Sequence, residues 1–518
     1  MKGVPGGWRM LRAVVGLVAA LMGVAAWAAE PVWTATETAH FIIYSKSPKD
    51  RVEQLATEVE SYDKLIRMAT GVRDDTPPVK VRIYEVDGLK DIRDALGLDD
   101  SSPVAGFYSA NALGPFLVTP RKTGYVGPNF TPALVLHHEY AHHMMLQYFP
   151  AAYPLWYVEG FAELIGSSQL MDDGRIGYGM PAKQRGHDIA VDWVPLQELL
   201  TSEKPWGLDP YGQGWAVTHF FTFDKTRSGQ FRQYLAALNA GHSLADAAKV
   251  FGDLNALDRE ARQYVTKGSF EYRPVKVEIA QPVVQSVRPL SAGEAALIPE
   301  VVAFSDDDLD LYDKKGDRDR EQARRERNLK RTRETAARYP NDPFALYFLA
   351  ESEYALGNYT QSEAAADRLL TIRPNDVHGL ARKAMTMAVL SRNLPAVEKA
   401  ARLQQAQAMA AKANHLDPAD ALPLLAYYET FHAAGEKAPE QAVEGLEQVV
   451  STDPRDTHPR NLLVDELAAD RKWADAIYWL GPLANDPHDS PARDSARKKM
   501  AWLKAQMGGQ SVAARAAN

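Results

Sequence analysis

The chain has 518 residues, 46% of them hydrophobic and 24% charged, the make-up of an ordinary globular protein of roughly two to four domains. It contains no cysteine, which excludes a disulfide framework, a lipid-bearing N-terminal cysteine and any thiolate metal site; metal ligands must then come from His, Asp and Glu. The net charge of −8, with no gathering of basic residues beside aromatics, speaks against a nucleic-acid partner.

Residues 1–28 read as a secretory signal. Lys2, Arg9 and Arg12 precede the apolar run Ala13–Val24, and Ala26-Trp27-Ala28 is a small-x-small cleavage site. The run is short for a bilayer span, so cleavage after Ala28 is expected in preference to retention as an anchor. Those three cations are the only charges in the segment, so its removal takes the net charge from −8 to −11. The expected address is periplasmic or secreted, with no stable membrane span after signal removal.

Strands and helices then mix. His40–Ser45 reads as a strand, Arg51–Thr70 as a helix with Leu55, Val59, Tyr62, Leu65 and Ile66 on one side, and Val79–Tyr84 as a half-buried strand. Val104–Tyr108 and Pro115–Thr119 read as two further strands joined as a hairpin through Asn111. From Thr131 helices dominate. Thr131-Pro132 supplies a capping hydroxyl and a proline at the first helical position, for a helix running to about Tyr148. Pro150 and Pro154 punctuate a short connection, and a second helix is expected over Leu155–Ile165. A loop that short should bring the second helix back antiparallel to the first.

The first of these helices carries His138-Glu139-x-x-His142. Four residues is about 400° of helix, so both imidazoles lie on one face, within reach of one metal ion, with Glu139 about 100° round. Zinc hydrolysis needs three protein ligands, an open position for water and a base to take that water's proton. His138 and His142 supply two ligands, Glu159 on the returning helix the third, and Glu139 the base. Glu163, one turn past Glu159, is expected to support a ligating imidazole from behind; the rival reading makes Glu163 the ligand. His137 and His143 are expected at the surface or in a supporting position, and Trp156, Trp206 and Trp215 as core aromatics.

The segments Leu136-His137-His138-Glu139-Tyr140-Ala141-His142 and Trp156-Tyr157-Val158-Glu159-Gly160-Phe161-Ala162-Glu163 resemble those of the gluzincin zinc metallopeptidases, most closely the "peptidase MA-like" group, and the aminopeptidase N type in Trp-x-x-Glu-Gly-Phe-Ala. The resemblance covers roughly residues 35–270. It implies a zincin-like fold, one zinc ion per chain held by His138, His142 and Glu159, and Glu139 as general base. In such families a tyrosine at the start of a downstream helix lies near the zinc, which makes Tyr211 the candidate oxyanion donor, ahead of His219, Tyr148 and Tyr157. The Gly-x-Met-x-Asn that binds a substrate N-terminus in true aminopeptidases is missing, so endo- versus exopeptidase action stays open.

Further helices are expected over Leu196–Leu200, Gly212–Lys225, Phe231–Asn239, Ser243–Phe251 and Leu254–Lys267. Val275–Ala303 reads as extended, Ser305–Asp319 as acidic, and Gln322–Arg338 as a solvated charged helix. After it, prolines recur at 343, 374, 418, 454 and 487, each followed by helical pattern rich in Ala, Leu and Tyr. Leu349-Ala350, Gly357-Asn358-Tyr359, Ala364-Ala365-Ala366 and Pro374 follow tetratricopeptide spacing. The interval from Pro374 to Pro418 is too long for that period and implies an elongated helix or loop.

The expected fold is an α+β zincin-like peptidase domain, with a small N-terminal sheet and a mostly helical C-terminal part, followed by an all-α tetratricopeptide-like solenoid. The divisions are a signal at 1–28, the metallopeptidase domain at 29–274, a linker with an extended segment and a charged helix at 275–340, helical repeats at 341–506 and a flexible tail at 507–518. The expected partners are a peptide or protein substrate and a protein docked on the repeats. The alternative is a catalytically silent zinc-binding envelope scaffold acting through those repeats.

Overall fold

In the N-terminal part, β1 (Thr34–Glu37) and β2 (Phe41–Ser45) form a hairpin, followed by α1 (Lys49–Thr70), β3 (Val81–Val86), α2 (Leu89–Leu96), β4 (Phe107–Asn111), β5 (Gly114–Pro120) and α3 (Pro132–Tyr148). The computed structural model describes residues 32–516 apart from 74–78, 103, 112–113, 123–128, 150–152, 192, 204, 206, 208–209, 306–313, 454–455 and 487–489. The expected signal, Pro150, Trp206, Pro454, Pro487 and most of the acidic run after Ser305 lie outside the described residues.

The strands form a mixed six-stranded sheet in the order β4-β5-β3-β2-β1-β9, where β9 (Ser286–Pro289) comes from far downstream. β2, β3 and β5 run parallel, and β4 closes one edge antiparallel to β5. The sequence predicts a half-buried strand at β3, but it lies inside the sheet with both faces covered, and all six of its residues are buried, Arg82 and Glu85 included. Ile43, Ile83 and Leu117 face Leu55, Tyr62 and Ile66 of α1 and Leu136, Tyr140 and Met144 of α3. Tyr84, Phe116 and Val118 belong to a second core, described below. α3 starts as the sequence predicts: the Thr131 hydroxyl accepts the Leu134 N–H at 3.2 Å, with Pro132 at the first position.

α4 (Leu155–Gly166) follows, then β6 (Gln169–Leu170), β7 (Ile176–Tyr178), a 3₁₀ turn over Lys183–Arg185, α5 (Gly186–Val191), α6 (Leu196–Thr201), α7 (Gly212–Phe223), α8 (Arg227–Asn239), α9 (Leu244–Ala248), α10 (Leu254–Lys267) and β8 (Arg273–Val275). The three-stranded sheet β6-β7-β8 is not expected from the sequence. The α4–α7 contact is backbone to backbone. A β-carbon on Gly160 would lie 2.2 Å from the Gly214 carbonyl oxygen, and one on Gly214 would lie 2.5 Å from that of Trp156.

Residues 275–340 do more than link two parts. β9 pairs antiparallel with β1, Thr34 opposite Pro289 and Glu37 opposite Ser286. The stretch expected to be extended as far as Ala303 then turns into α11 (Ala292–Ala296) and α12 (Ile298–Val302). Ser291 caps the first of these by accepting the Glu294 N–H at 3.2 Å. Leu297, Ile298, Val301, Val302 and Phe304 cover the second face of the large sheet, joined there by Phe348 from the repeats. The charged helix, α13 (Lys315–Arg338), is packed rather than simply solvated. It buries Leu329, Thr332 and Ala336, and Arg331 and Arg333 pair with Glu300 and Glu353.

Paired helices make up the rest: α14 (Pro343–Ala355) with α15 (Tyr359–Ile372), α16 (Val377–Leu390) with α17 (Ala396–Leu416), α18 (Leu422–Ala434) with α19 (Glu440–Thr452), and α20 (Thr457–Ala469) with α21 (Trp473–Ala484), ending in α22 (Pro491–Ala516). Among the described residues, the recurring Pro343, Pro374 and Pro418 lie at or just ahead of the first helix of a pair. Asp342 and Asp376 accept the N–H groups of Ala345 and Gly379, and Asp456 that of His458. The long proline interval is taken up by α17, the longest helix among the four pairs. α22 continues to Ala516, through most of the stretch expected as a flexible tail. No helix among the described residues is long and apolar enough to cross a membrane.

Candidate metal centre

His138 and His142 lie one turn apart on α3 with their Nε2 atoms 3.1 Å from each other. The returning α4 delivers Glu159, whose Oε2 is 3.2 Å from His138 Nε2 and 3.6 Å from His142 Nε2. All three residues are buried. Gly166 lets α4 lie close along α3: a β-carbon there would sit 3.1 Å from the Leu134 carbonyl oxygen. Since Glu159 meets His142 while Gly166 meets Leu134, the helices run in opposite senses, as the short loop predicts.

The donor set fits zinc. Metal–ligand distances of about 2.0–2.1 Å in tetrahedral geometry place neighbouring donors about 3.3 Å apart. The three observed separations bracket that value. Two imidazoles and one carboxylate, with neither sulfur nor further oxygen, also match a zinc site that keeps a position open.

Behind the candidate ligands stands Glu163, fully buried. Its Oε1 lies 3.4 Å from His138 Nδ1. The same oxygen accepts from Arg185 Nη2 at 2.7 Å and Nε at 3.1 Å, and Oε2 accepts from Gln184 at 2.9 Å. Burial would raise this carboxyl, but His138 and Arg185 outweigh it and hold the group down at about 2. Burial likewise opposes charge on His138, yet the Glu159 and Glu163 carboxylates lift it to about 10. Two buried carboxylates around one imidazole thus call for positive charge at this point, which a proton or a metal ion can supply.

Tyr211, the residue preceding α7, reaches the same place. Its ring centroid is 6.0 Å from that of His138, and the Arg185 guanidinium lies 4.6 Å from the centre of the Tyr211 ring. Burial pushes its phenol well up, and the Glu159 and Glu139 carboxylates add to the rise. The close Gly160–Gly214 contact explains how: packing α4 and α7 backbone to backbone draws the start of α7 over the histidines. Glu139 is half-buried on α3. Gly106, just ahead of β4, passes so near that a β-carbon would lie 3.7 Å from Glu139 Cγ and only 2.3 Å from Val135 Cγ1.

The other candidates sit elsewhere. His219 is buried between the Gly179 carbonyl and the Tyr264 hydroxyl, each at 2.8 Å, and burial pushes it down to about 4. Tyr148 lies under Arg67, and Tyr157 packs against Trp156 and Phe231. Trp156 and Trp215 are core residues. His137 and His143 are not at the surface: His137 stacks on Tyr62 and lies 3.2 Å from Glu58, and His143 Nδ1 is 3.1 Å from the Tyr108 hydroxyl. α3 is enclosed on those sides by α1 and β4, a packing that a single helix pattern does not reveal.

Sequence reasoning missed Arg185 and Gln184, which come from a three-residue turn with no motif. It also missed a second buried cluster beneath α3. His40 Nδ1 lies 2.7 Å from Glu60 Oε2, and its Nε2 lies 3.7 Å from Asp63 Oδ2. The two carboxylates contact different ring nitrogens, so the imidazole bridges them, and the three residues also lie close enough together to hold an ion. Asp63 also accepts from Arg67 Nε at 2.7 Å and from the Tyr140 hydroxyl at 2.5 Å, which ties α1 to the turn of α3 that carries His138 and His142.

No protein-family model matches the chain. No curated protein matches it either. Among solved structures it is similar to a thermophilic TPR protein of Thermus thermophilus, at 20% identity and TM-score 0.31 over 35% of this chain and 91% of that one. A tetratricopeptide repeat protein of Parabacteroides merdae matches at 12% identity and TM-score 0.27, over 54% of this chain and 87% of that one. Yeast Tom70 matches at 11% identity and TM-score 0.24, over 71% and 70% of the two chains.

Proposed function

We propose that this protein is an exported zinc-dependent metallopeptidase whose substrate or partner is recruited by its helical repeats. The observation that carries the reading is the triangle of His138 Nε2, His142 Nε2 and Glu159 Oε2, with sides of 3.1, 3.2 and 3.6 Å, on a helix that also bears Glu139. A zinc ion held there supplies Lewis acidity towards water and a peptide carbonyl. Glu139 takes the proton from the attacking water and returns it to the leaving amine. The Tyr211 phenol, pushed up by burial and by the carboxylates of Glu159, Glu139 and Glu163, keeps its proton at neutral pH and donates a hydrogen bond to the developing oxyanion. β4, an edge strand of the large sheet leading from Gly106 beside Glu139, offers main-chain groups to which an extended peptide can add.

A second reading is favoured by the repeats themselves. The paired helices from α14 onward make up a large part of the chain, and stacked helix pairs are built to bind other proteins. On that reading the chain is an envelope scaffold that holds zinc and cleaves nothing.

One comparison separates the two. Protein purified without chelators is analysed for zinc, and wild type and Glu139→Gln are incubated with a peptide library. The peptidase reading expects about one zinc per chain and a loss of cleavage of about 10²–10⁴-fold in the variant. Zinc without Glu139-dependent cleavage leaves the scaffold reading; absence of zinc from wild type defeats both. N-terminal sequencing of the exported form, expected to begin at Ala29, tests the address.

A further inference from the structure

α4 has a second face. Tyr157 and Phe161 flank Glu159 in sequence but line a cavity of about 650 Å³ on which none of the metal-site residues borders. The cavity lies among the ends of α1 and α3, α4, α7, α8 and β8. Phe149, Tyr153, Phe221 and Phe231 complete an aromatic lining. That volume falls in the range of small-molecule sites, and such a lining is what they use to bury a ligand's body.

The charge at this cavity is unlike that of the chain. The protein is acidic overall, at −8, yet no Asp or Glu lines the space, while Arg232 and Arg273 do. Both arginines are exposed. Among the described residues neither has a carboxylate within ion-pair distance; the Arg273 guanidinium rests 5.0 Å over the Phe223 ring. By contrast Arg331, which lines another groove, is paired with Glu300. An aromatic cavity bordered by two such guanidinium groups complements one kind of molecule: apolar in the body, anionic at one end.

We infer that this cavity is a binding site for a small amphipathic anion, its apolar body among the aromatic side chains and a carboxylate- or sulfonate-type head at Arg232 and Arg273. The site is separate from the metal centre and does not depend on the peptidase reading.

The test uses the full-length protein and two fluorescent probes that brighten in apolar surroundings: anilinonaphthalenesulfonate, an anion, and phenylnaphthylamine, its uncharged relative. Wild type should bind both saturably at one site. Arg232→Gln/Arg273→Gln should weaken the anion about tenfold and the neutral probe less than about twofold, since only the charge-assisted contacts are removed. Ala236→Trp, which places an indole at the cavity wall from an exposed position, should weaken both. Ser228→Trp provides the same block from α8 should the first variant not fold. Displacement of the bound anion by a long-chain fatty acid or by an aromatic carboxylate then tells which body the cavity takes. Absence of saturable binding, equal losses of both probes in the arginine variant, indifference to the tryptophan, or displacement by neither competitor would each overturn the inference.

Discussion

Glu163 holds His138 from behind while Arg185 and Gln184 hold Glu163, so this carboxylate fixes the orientation of His138 and, with Glu159, favours positive charge there. Supporting partners of this kind typically contribute about 10–100-fold to metal affinity. Glu163→Gln should therefore weaken zinc by that order in a chelator-competition titration, and should also lower the melting temperature of the zinc-free protein, because His138 and Arg185 lose a buried anion. Glu159→Gln, which removes a ligand outright, should cost more. A second residue-scale prediction concerns pH. Burial lowers His40, but Glu60 and Asp63 more than compensate, so it is raised; burial raises Glu60, but His40 and Thr38 outweigh it, so it is lowered. A raised imidazole contributes its full stability below its ordinary value and loses it as pH climbs through the raised one. A lowered carboxyl contributes above its ordinary value and loses it as pH falls through the lowered one. The pair is thus worth most between the ordinary carboxylate and imidazole ranges. The melting-temperature gap between wild type and His40→Gln should be widest there and narrow towards alkaline pH.

At the scale of elements, the contact between α4 and α7 leaves no room for a side chain. Gly160→Ala forces a carbon to within 2.2 Å of the Gly214 carbonyl oxygen, so the helices must part. Overpacking of this kind costs about 1–3 kcal/mol. Chemical denaturation should show that loss, and zinc affinity should fall with it because Glu159 moves with its helix. Equal stability of Gly160→Ala and wild type would refute the contact. Elements with a clear pattern were legible in the sequence: Thr131-Pro132 marks the start of α3, and α10 keeps the expected bounds Leu254–Lys267. The convergence of His138, His142 and Glu159 was legible because one helical turn and one short return confine them. What the sequence hid was made of pieces too short to carry a period. β6 to β8 are two or three residues each, α11 and α12 five, and the turn bearing Arg185 three. Their identity depends on partners distant in the chain, which local propensity does not see.

For the whole molecule, the two faces of the large sheet lead to different neighbours. One packs on α1 and α3; the other is covered by α11, α12 and Phe348 of α14. The boundary that composition suggests at residue 274 therefore cuts through a core. A fragment ending there would bare Tyr84, Phe116 and Val118. It should melt at least about 10 °C below the full chain, or aggregate, whereas a fragment ending after α15 should keep most of that stability. Calorimetry of the two fragments distinguishes a shared core from a true linker.

The pairing of β1 with β9 also has a meaning in time. A chain appearing N-terminus first makes residues 34–37 early and residues 286–289 late, and by then α3 and α4, with both histidines and Glu159, already exist. For that interval these three residues are present beside a sheet with an open edge and one bare face, the condition in which strands find wrong partners. Closing so distant a pair is slow compared with forming helices. The arrival of β9 and the two short helices behind it is thus the event that ends the chain's vulnerable period.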